Sequence, residues 1–116
     1  MIEKFGLGID IVNVDRFSSK IYSKNKEFYS KIFSINEINY CTKFKEPYTH
    51  FAGKFALKEA VIKEINKKIS LLDIETFHEN GVPQVKLKNQ SNYSSISSIS
   101  HENNVAVAVF IVEFSI

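Results

Sequence analysis

Asp10 and Glu59 are the two carboxylates whose surroundings in this sequence call for chemistry. Asp10 follows Gly6 and Gly8 on one face of the alternating run at residues 5–12, and glycines on a strand face mark close approach of another backbone or a ligand. Glu59 lies in a stretch that is apolar on nearly every helical position. Carboxylates in such places need a cation or a hydrogen-bond donor, because an unpaired buried charge is very costly. Magnesium fits: it takes one or two carboxylates and leaves its other positions to water and substrate phosphate. Lys54, Lys58 and Lys63 stand on the same stretch as Glu59, and a metal beside several ammonium groups suits an in-line displacement at phosphorus. The structural alternative pairs Glu59 with Lys63 at i+4 and has Asp10 cap the helix after it. His101, at a strand end, can hydrogen-bond a phosphate or an adenine, or fill a structural place. His50 and His78 have no partner legible in the sequence.

The single cysteine, Cys41, cannot close an internal disulfide, so nothing points to an oxidising compartment. No neighbour would lower its pKa, and a buried, unreactive thiol is expected. There is no phosphate-cradling Walker loop, zinc-type Cys/His spacing or nucleophile elbow.

Positioning these groups falls to a small set of elements. Residues 5–12 alternate as a strand, with Phe5, Leu7, Ile9 and Ile11 on one face and Gly6, Gly8 and Asp10 on the other. Residues 15–33 read as one basic amphipathic helix with Phe17, Ile21, Phe28 and Ile32 inward. Ser34-Ile35-Asn36-Glu37 is a capping box that opens a second short helix. Residues 49–68 form the main helix, with Phe51, Phe55, Ile62, Ile65 and Ile69 on one stripe and alanines filling most of the rest. Lys58 and Glu59 fall at the two borders of that stripe. Asn80-Gly81 predicts a hairpin between residues 74–78 and 82–88. A second hairpin turns at Glu102-Asn103-Asn104, and residues 105–112, apolar on both faces, should be a central strand. The Ser-rich stretch 91–100 reads as loop leading into strand. Helices followed by hairpins predict an α+β fold, an antiparallel sheet packed against a long buried helix, in a single small domain over residues 1–116.

Net charge is +2, but residues 13–68 carry 12 Lys and Arg against 6 Asp and Glu, while the remainder carries 3 against 7. A basic half on a nearly neutral chain suits an anionic partner, unless it is simply a solvated helical surface. The longest apolar run, residues 105–112, is far short of the roughly 20 residues that span a bilayer. A soluble cytoplasmic protein with no membrane partner is therefore expected. Phe17, Phe28, Phe33, Tyr40 and Phe44 exceed what one short helical layer over a small sheet buries, which predicts apolar surface shared between subunits.

Four segments resemble one family. Residues 5–12 with Arg16 are similar to the opening G-[IL]-G-x-D-I-V…R of holo-[acyl-carrier-protein] synthases. Residues 51–60 with Lys63 are similar to their F-x-x-[RK]-F-A-x-K-E-A-x-x-K helix. Asn80-Gly81-Val82-Pro83 resembles their N-G-x-P hairpin, and Ile99-Ser100-His101 their S-[IL]-[ST]-H end. The resemblance spans almost the whole chain, in order. It implies a phosphopantetheinyl transferase fold, a trimer with active sites between subunits, and transfer of 4′-phosphopantetheine from coenzyme A to a serine of acyl carrier protein in fatty acid biosynthesis. Adenosine 3′,5′-bisphosphate is the expected leaving product. Asp10 and Glu59 match the magnesium carboxylates; Lys54, Lys58, Lys63 and His101 match positions near the coenzyme A phosphates and adenine; Arg16 matches a position that meets the acidic carrier. Glu59 or water would take the serine proton, and Lys58 and Lys63 would stabilise the departing bisphosphate.

Two positions depart from that pattern. Asn66-Lys67-Lys68 stands where a G-T-G turn is usual, with a shorter connection to Ile74, and Lys54 stands where Arg is common, which removes bidentate phosphate geometry. The altered turn leaves room for a rival reading, a domain that docks acidic carriers without catalysis. A nucleic-acid-binding domain is the third reading. It lacks aromatic stacking residues on a basic sheet face, so no nucleic-acid partner is expected.

Overall fold

The computed structural model describes residues 5–65 and 68–114. Strand β1 (Phe5–Asn13) leads into a broken helical segment made of α1 (Asp15–Ser18), a 3-10 turn at Tyr22–Lys24, and α2 (Lys26–Ser30). Helix α3 (Ile35–Thr42) and the long helix α4 (Tyr48–Ile65) follow, then a 3-10 turn at Leu71–Asp73. Strands β2 (Ile74–Glu79), β3 (Val82–Leu87), β4 (Tyr93–Glu102) and β5 (Val105–Phe114) complete the chain. All pairings are antiparallel, and they form two sheets, β1-β5-β4 and β2-β3. The fold is α+β, as the succession of elements predicts, with a divided sheet. Among the described residues, no helix is long and apolar enough to cross a membrane.

Helix α4 is the axis of the core. Its residues 51–58 are all buried, and it packs on β1 and β5. The approach to β1 is made at backbone distance: a Cβ on Gly8 would strike the Ala60 carbonyl, and one on Gly6 the carboxylate of Glu64. The glycine face of β1 therefore meets the helix, and Asp10 is carried to it in register. Strand β5 is central, with Ala106, Ala108, Phe110 and Val112 buried under α4. Asn80 and Gly81 both have positive φ (53° and 78°), the geometry of a two-residue type I′ turn.

The single amphipathic helix expected over residues 15–33 is instead three short pieces. Ile21 takes ψ 128°, which stops helical continuation, and Asn25 leaves the helical region (φ −137°) while its side chain donates to the Ile21 carbonyl. Asn and Ser compete for backbone groups in this way and break helices. The breaks let Tyr29 enter the core, where its hydroxyl bonds the carbonyls of Phe17 and Lys20 at 2.8 Å. Ile21, expected inward, is exposed. Strand β4 also begins earlier than expected, at Tyr93, so most of the Ser-rich stretch is strand.

Most of the aromatic surplus is taken up inside the chain, while Phe44 stays exposed. Phe17, Tyr29, Phe33 and Phe51 form one buried cluster with Phe28 packed against it, and Tyr40 and Phe44 stack on histidines. The uncovered apolar surface lies elsewhere, on the outer face of β1-β5-β4. There Leu7, Ile9, Ile11 and Ile96 are each more than half exposed, beside Val107, Val109 and Ile111.

Candidate active site

Asp10 and Glu59 arrive from different elements. Close packing of β1 on α4 places the Asp10 carboxylate against the helix, and Lys63 Nζ reaches its Oδ1 at 2.7 Å. Lys63 also donates to the Ile9 carbonyl at 3.3 Å. The Asp10 side chain is 14% exposed and that of Lys63 57%, so this pair faces solvent on one side. Glu59 sits one turn before Lys63, is half-buried, and forms no hydrogen bond or ion pair among the described residues. Both structural alternatives are thereby answered. Lys63 pairs with Asp10 rather than Glu59, and the cap-like acceptor before α1 is Asn13, whose Oδ1 takes the Asp15 N–H at 2.8 Å. A half-buried carboxylate without a partner, one helical turn before the lysine that holds a second carboxylate, offers the oxygen donors that a hard cation such as Mg²⁺ takes. The residues fit the metal.

Lys54 and Lys58 face the opposite way. At 100° per residue they share one face of α4 while Glu59 and Lys63 share another. Lys58 Nζ is wholly buried, with all three donors used: Glu37 Oε1 at 2.7 Å and the carbonyls of Ile32 at 2.7 Å and Leu71 at 3.0 Å. Burial lowers the pKa of this ammonium, opposed by the charge of Glu37. Glu37, read from sequence only as a helix cap, does cap α3 and also accepts from the Thr76 N–H at 2.8 Å and hydroxyl at 2.6 Å. Thr76 in turn receives Lys54 Nζ on its carbonyl and hydroxyl, both at 3.1 Å. A chain of buried polar groups thus runs from Lys58 through Glu37 and Thr76 to Lys54.

Lys54 lines a cavity of about 410 Å³ at the N-terminal half of α4, with Tyr40, His50, His78, Pro83 and His101 among its walls. The structure thus brings Lys54 and His101 to one cavity, and Asp10 to Lys63, one turn along α4 from Glu59. The two groups lie roughly 14 Å apart along the helix, from the rise of nine residues. Lys58 belongs to neither, its charge being used inside the chain. Arg16 is exposed, with its guanidinium 4.8 Å from the centre of the Phe55 ring. The thiol of Cys41 is buried, and burial pushes its pKa up to about 12. It takes no part.

The sequence model of the 4′-phosphopantetheinyl transferase superfamily matches residues 6–110. The chain belongs to that superfamily. Among its relatives, the holo-[acyl-carrier-protein] synthase of Thermodesulfovibrio yellowstonii is 42% identical over 116 residues, covering 97% of this chain and 99% of that one. The synthase of Protochlamydia amoebophila is 34% identical, covering 89% and 93%. Among solved structures, the Bacillus anthracis holo-(acyl-carrier-protein) synthase in complex with CoA (3′,5′-ADP) superposes with a TM-score of 0.82 at 31% identity, covering 95% and 96%. That of Helicobacter pylori in complex with coenzyme A gives 0.78 at 33%, covering 92% and 99%. This chain is a phosphopantetheinyl transferase of the holo-[acyl-carrier-protein] synthase type. The transferase pairs Asp10 with Lys63, one helical turn after Glu59, while its Asn66 and Lys67, at the altered turn, lie outside the described residues.

Proposed function

We propose that this transferase moves 4′-phosphopantetheine from coenzyme A to a serine of apo acyl carrier protein, with Mg²⁺, in the cytoplasm and in the service of fatty acid biosynthesis. The observation that carries the reading is the Asp10–Lys63 pair beside an unpartnered Glu59, on a fold shared with coenzyme A-bound synthases. Asp10 and Glu59 would hold the metal, which supplies Lewis-acid polarisation of the phosphorus and charge neutralisation when bound. Asp10 holds the Lys63 ammonium at the same place, where it stabilises negative charge that builds on the diphosphate. The carrier serine attacks the phosphorus that bears the pantetheine arm. The bond from that phosphorus to the bridging oxygen breaks, adenosine 3′,5′-bisphosphate leaves, and the serine proton passes to Glu59 or water. Lys54 and His101 take the adenosine end in their cavity. Chromatography of the nucleotide fraction should reveal adenosine 3′,5′-bisphosphate in step with the carrier consumed. Release of the same nucleotide without carrier would point to hydrolysis and against transfer.

We assign the exposed outer face of the β1-β5-β4 sheet to contact between copies, in a trimer that sets the carboxylates of one subunit facing the cavity of the next. The uncovered Leu7, Ile9, Ile11 and Ile96 support this, since contiguous apolar patches on soluble proteins mark interaction sites. Light scattering at micromolar concentration should give three times the chain mass, and Ile9→Lys should reduce it. A monomeric wild-type protein would contradict the assignment.

Carrier docking falls to the basic segment after β1. Arg16, Lys20, Lys24, Lys26 and Lys31 are all exposed there, with one ion pair among the described residues, Lys31 to Glu27 at 3.8 Å. Charge of this kind speeds encounter with an acidic partner more than it deepens affinity. Arg16→Glu should raise KM for the carrier several-fold and leave KM for coenzyme A unchanged. The effect should shrink with salt, as the Debye length falls from ≈10 Å at 0.1 M to ≈3 Å at 1 M. Equal changes in both KM values, or none, would refute docking by this segment.

A further inference from the structure

All three histidines of the chain reach one cavity, and two of them have no part in the reaction as described. His50 comes from the first turn of α4, His78 from β2 and His101 from the end of β4, and Lys54 lies among them. The His50 ring lies flat on Phe44, with centroids 3.7 Å apart at 16°, and its centroid is 6.5 Å from that of His101. The His78 ring stacks on Tyr40 at 4.6 Å and 8°. Stacking holds both ring planes and leaves their edges to the cavity. His78 Nδ1 is buried and has no hydrogen-bond partner among the described residues. The described residues that line the cavity include no carboxylate.

An ammonium and three imidazoles without an acid suit a phosphomonoester, which carries close to two negative charges above its second pKa of about 6. Coenzyme A bears one such group, on the 3′ position of its ribose, so the argument rests on the coenzyme A reading above. We propose that His50 and His78 are further ligands of that 3′-phosphate and that they gain a proton as it binds, which makes recognition of coenzyme A proton-linked.

In the free protein both imidazoles are held below the ordinary histidine range. Burial is the main cause for each; His101 and then Lys54 add to it at His50, and Lys54 and then His50 at His78. Tyr40 and Lys43 face this region from α3 and its C-terminal end, with the Lys43 ammonium 5.1 Å from the Tyr40 ring centre. Glu46, in the loop before α4, is the carboxylate that acts on His50, and it is bound by Thr49 and the Tyr48 N–H. Glu79 and Glu102, next in sequence to His78 and His101, are exposed, and neither lines this cavity. The cavity thus has one ammonium and three imidazoles but no counter-ion among the described residues that line it. A phosphate dianion supplies one, and an opposite charge at close range favours the protonated imidazole.

The test is calorimetric titration of the protein, in Mg²⁺, with coenzyme A and with dephospho-coenzyme A, which lacks only the 3′-phosphate. At about pH 7.5 the phosphate is already largely dianionic, and buffers of differing ionisation enthalpy report the protons exchanged. The expected result is uptake of about one proton with coenzyme A and none with the dephospho form. From about pH 7 to 8, Kd for coenzyme A should weaken by on the order of tenfold while that for the dephospho form stays within about twofold. His50→Asn and His78→Asn, verified as folded by thermal melts, should each reduce the uptake and weaken coenzyme A alone. Coenzyme A binding without proton uptake, or equal losses for both ligands in the variants, would overturn the proposal and leave the coenzyme A reading standing. Failure of the wild-type protein to bind either ligand would overturn both.

Discussion

Replacing Glu59 by Gln should lower phosphopantetheine transfer by on the order of 10²-fold or more while leaving the protein folded, the loss expected when a charge that stabilises the transition state is removed. Two observations make the split between activity and stability sharp. Glu59 is half-buried and has no partner among the described residues, so the fold loses no contact with its charge. Gln keeps the same volume on α4. Asp10→Asn should show the same fall in rate, with a small stability change, because its pair with Lys63 is open to solvent on the lysine side and such pairs contribute little. Turnover against Mg²⁺ concentration, beside thermal melts, checks both. Near-wild-type turnover at saturating Mg²⁺ in either variant would contradict the metal role of that residue.

Glu37→Gln should act in the opposite way, on the fold first. It removes the charge that compensates a lysine with a fully buried side chain, and the Glu37 side chain is itself fully buried. Breaking a buried ion pair from one side costs about 3–5 kcal/mol, a large share of the roughly 5–15 kcal/mol that holds a domain of this size. Urea unfolding should show that loss. Adding Lys58→Met to Glu37→Gln should recover part of it, since the uncompensated ammonium is then gone. A loss below about 1 kcal/mol would mean that Lys58 is satisfied by the Ile32 and Leu71 carbonyls without Glu37. Transfer measured on the Glu37→Gln protein that remains folded should fall mainly through KM for coenzyme A, because Thr76 then holds Lys54 less firmly at the cavity.

Much of the fold was legible because its signals are local. Alternation in residues 5–12, the unbroken apolar run at 105–112, the Ser34–Glu37 cap and the Asn80-Gly81 turn each carry their own geometry, and each is found in place. The segment 15–33 does not form the single helix its periodicity suggests, because that periodicity is real but weak. The decision to break at Ile21 and Asn25 comes from a tertiary gain, the burial of Tyr29 among Phe17, Phe33 and Phe51. The site was legible in part for the same reason. Gly6 and Gly8 announce close packing, which carries Asp10 to α4, whereas Lys54 and Lys58, expected beside Glu59, bond on another face of the helix. The role of Glu37 could not be read, since its partners Thr76 and Lys58 lie 39 and 21 positions away. The convergence of His50, His78 and His101 needs three elements to meet, and no short-range pattern encodes that. The apolar face of the small sheet was visible as alternation at Phe5, Leu7, Ile9 and Ile11. Only the packing of α4 on the opposite face reveals that this side stays uncovered.

The most direct measurement is the intact mass of an apo acyl carrier protein after incubation with this protein, coenzyme A and Mg²⁺. The account predicts a gain equal to one 4′-phosphopantetheine group, lost when the metal is chelated and absent when the acceptor serine of the carrier is replaced. No gain in mass at any Mg²⁺ concentration, with a folded protein and a competent carrier, would contradict the transfer and favour a domain that docks carriers without modifying them.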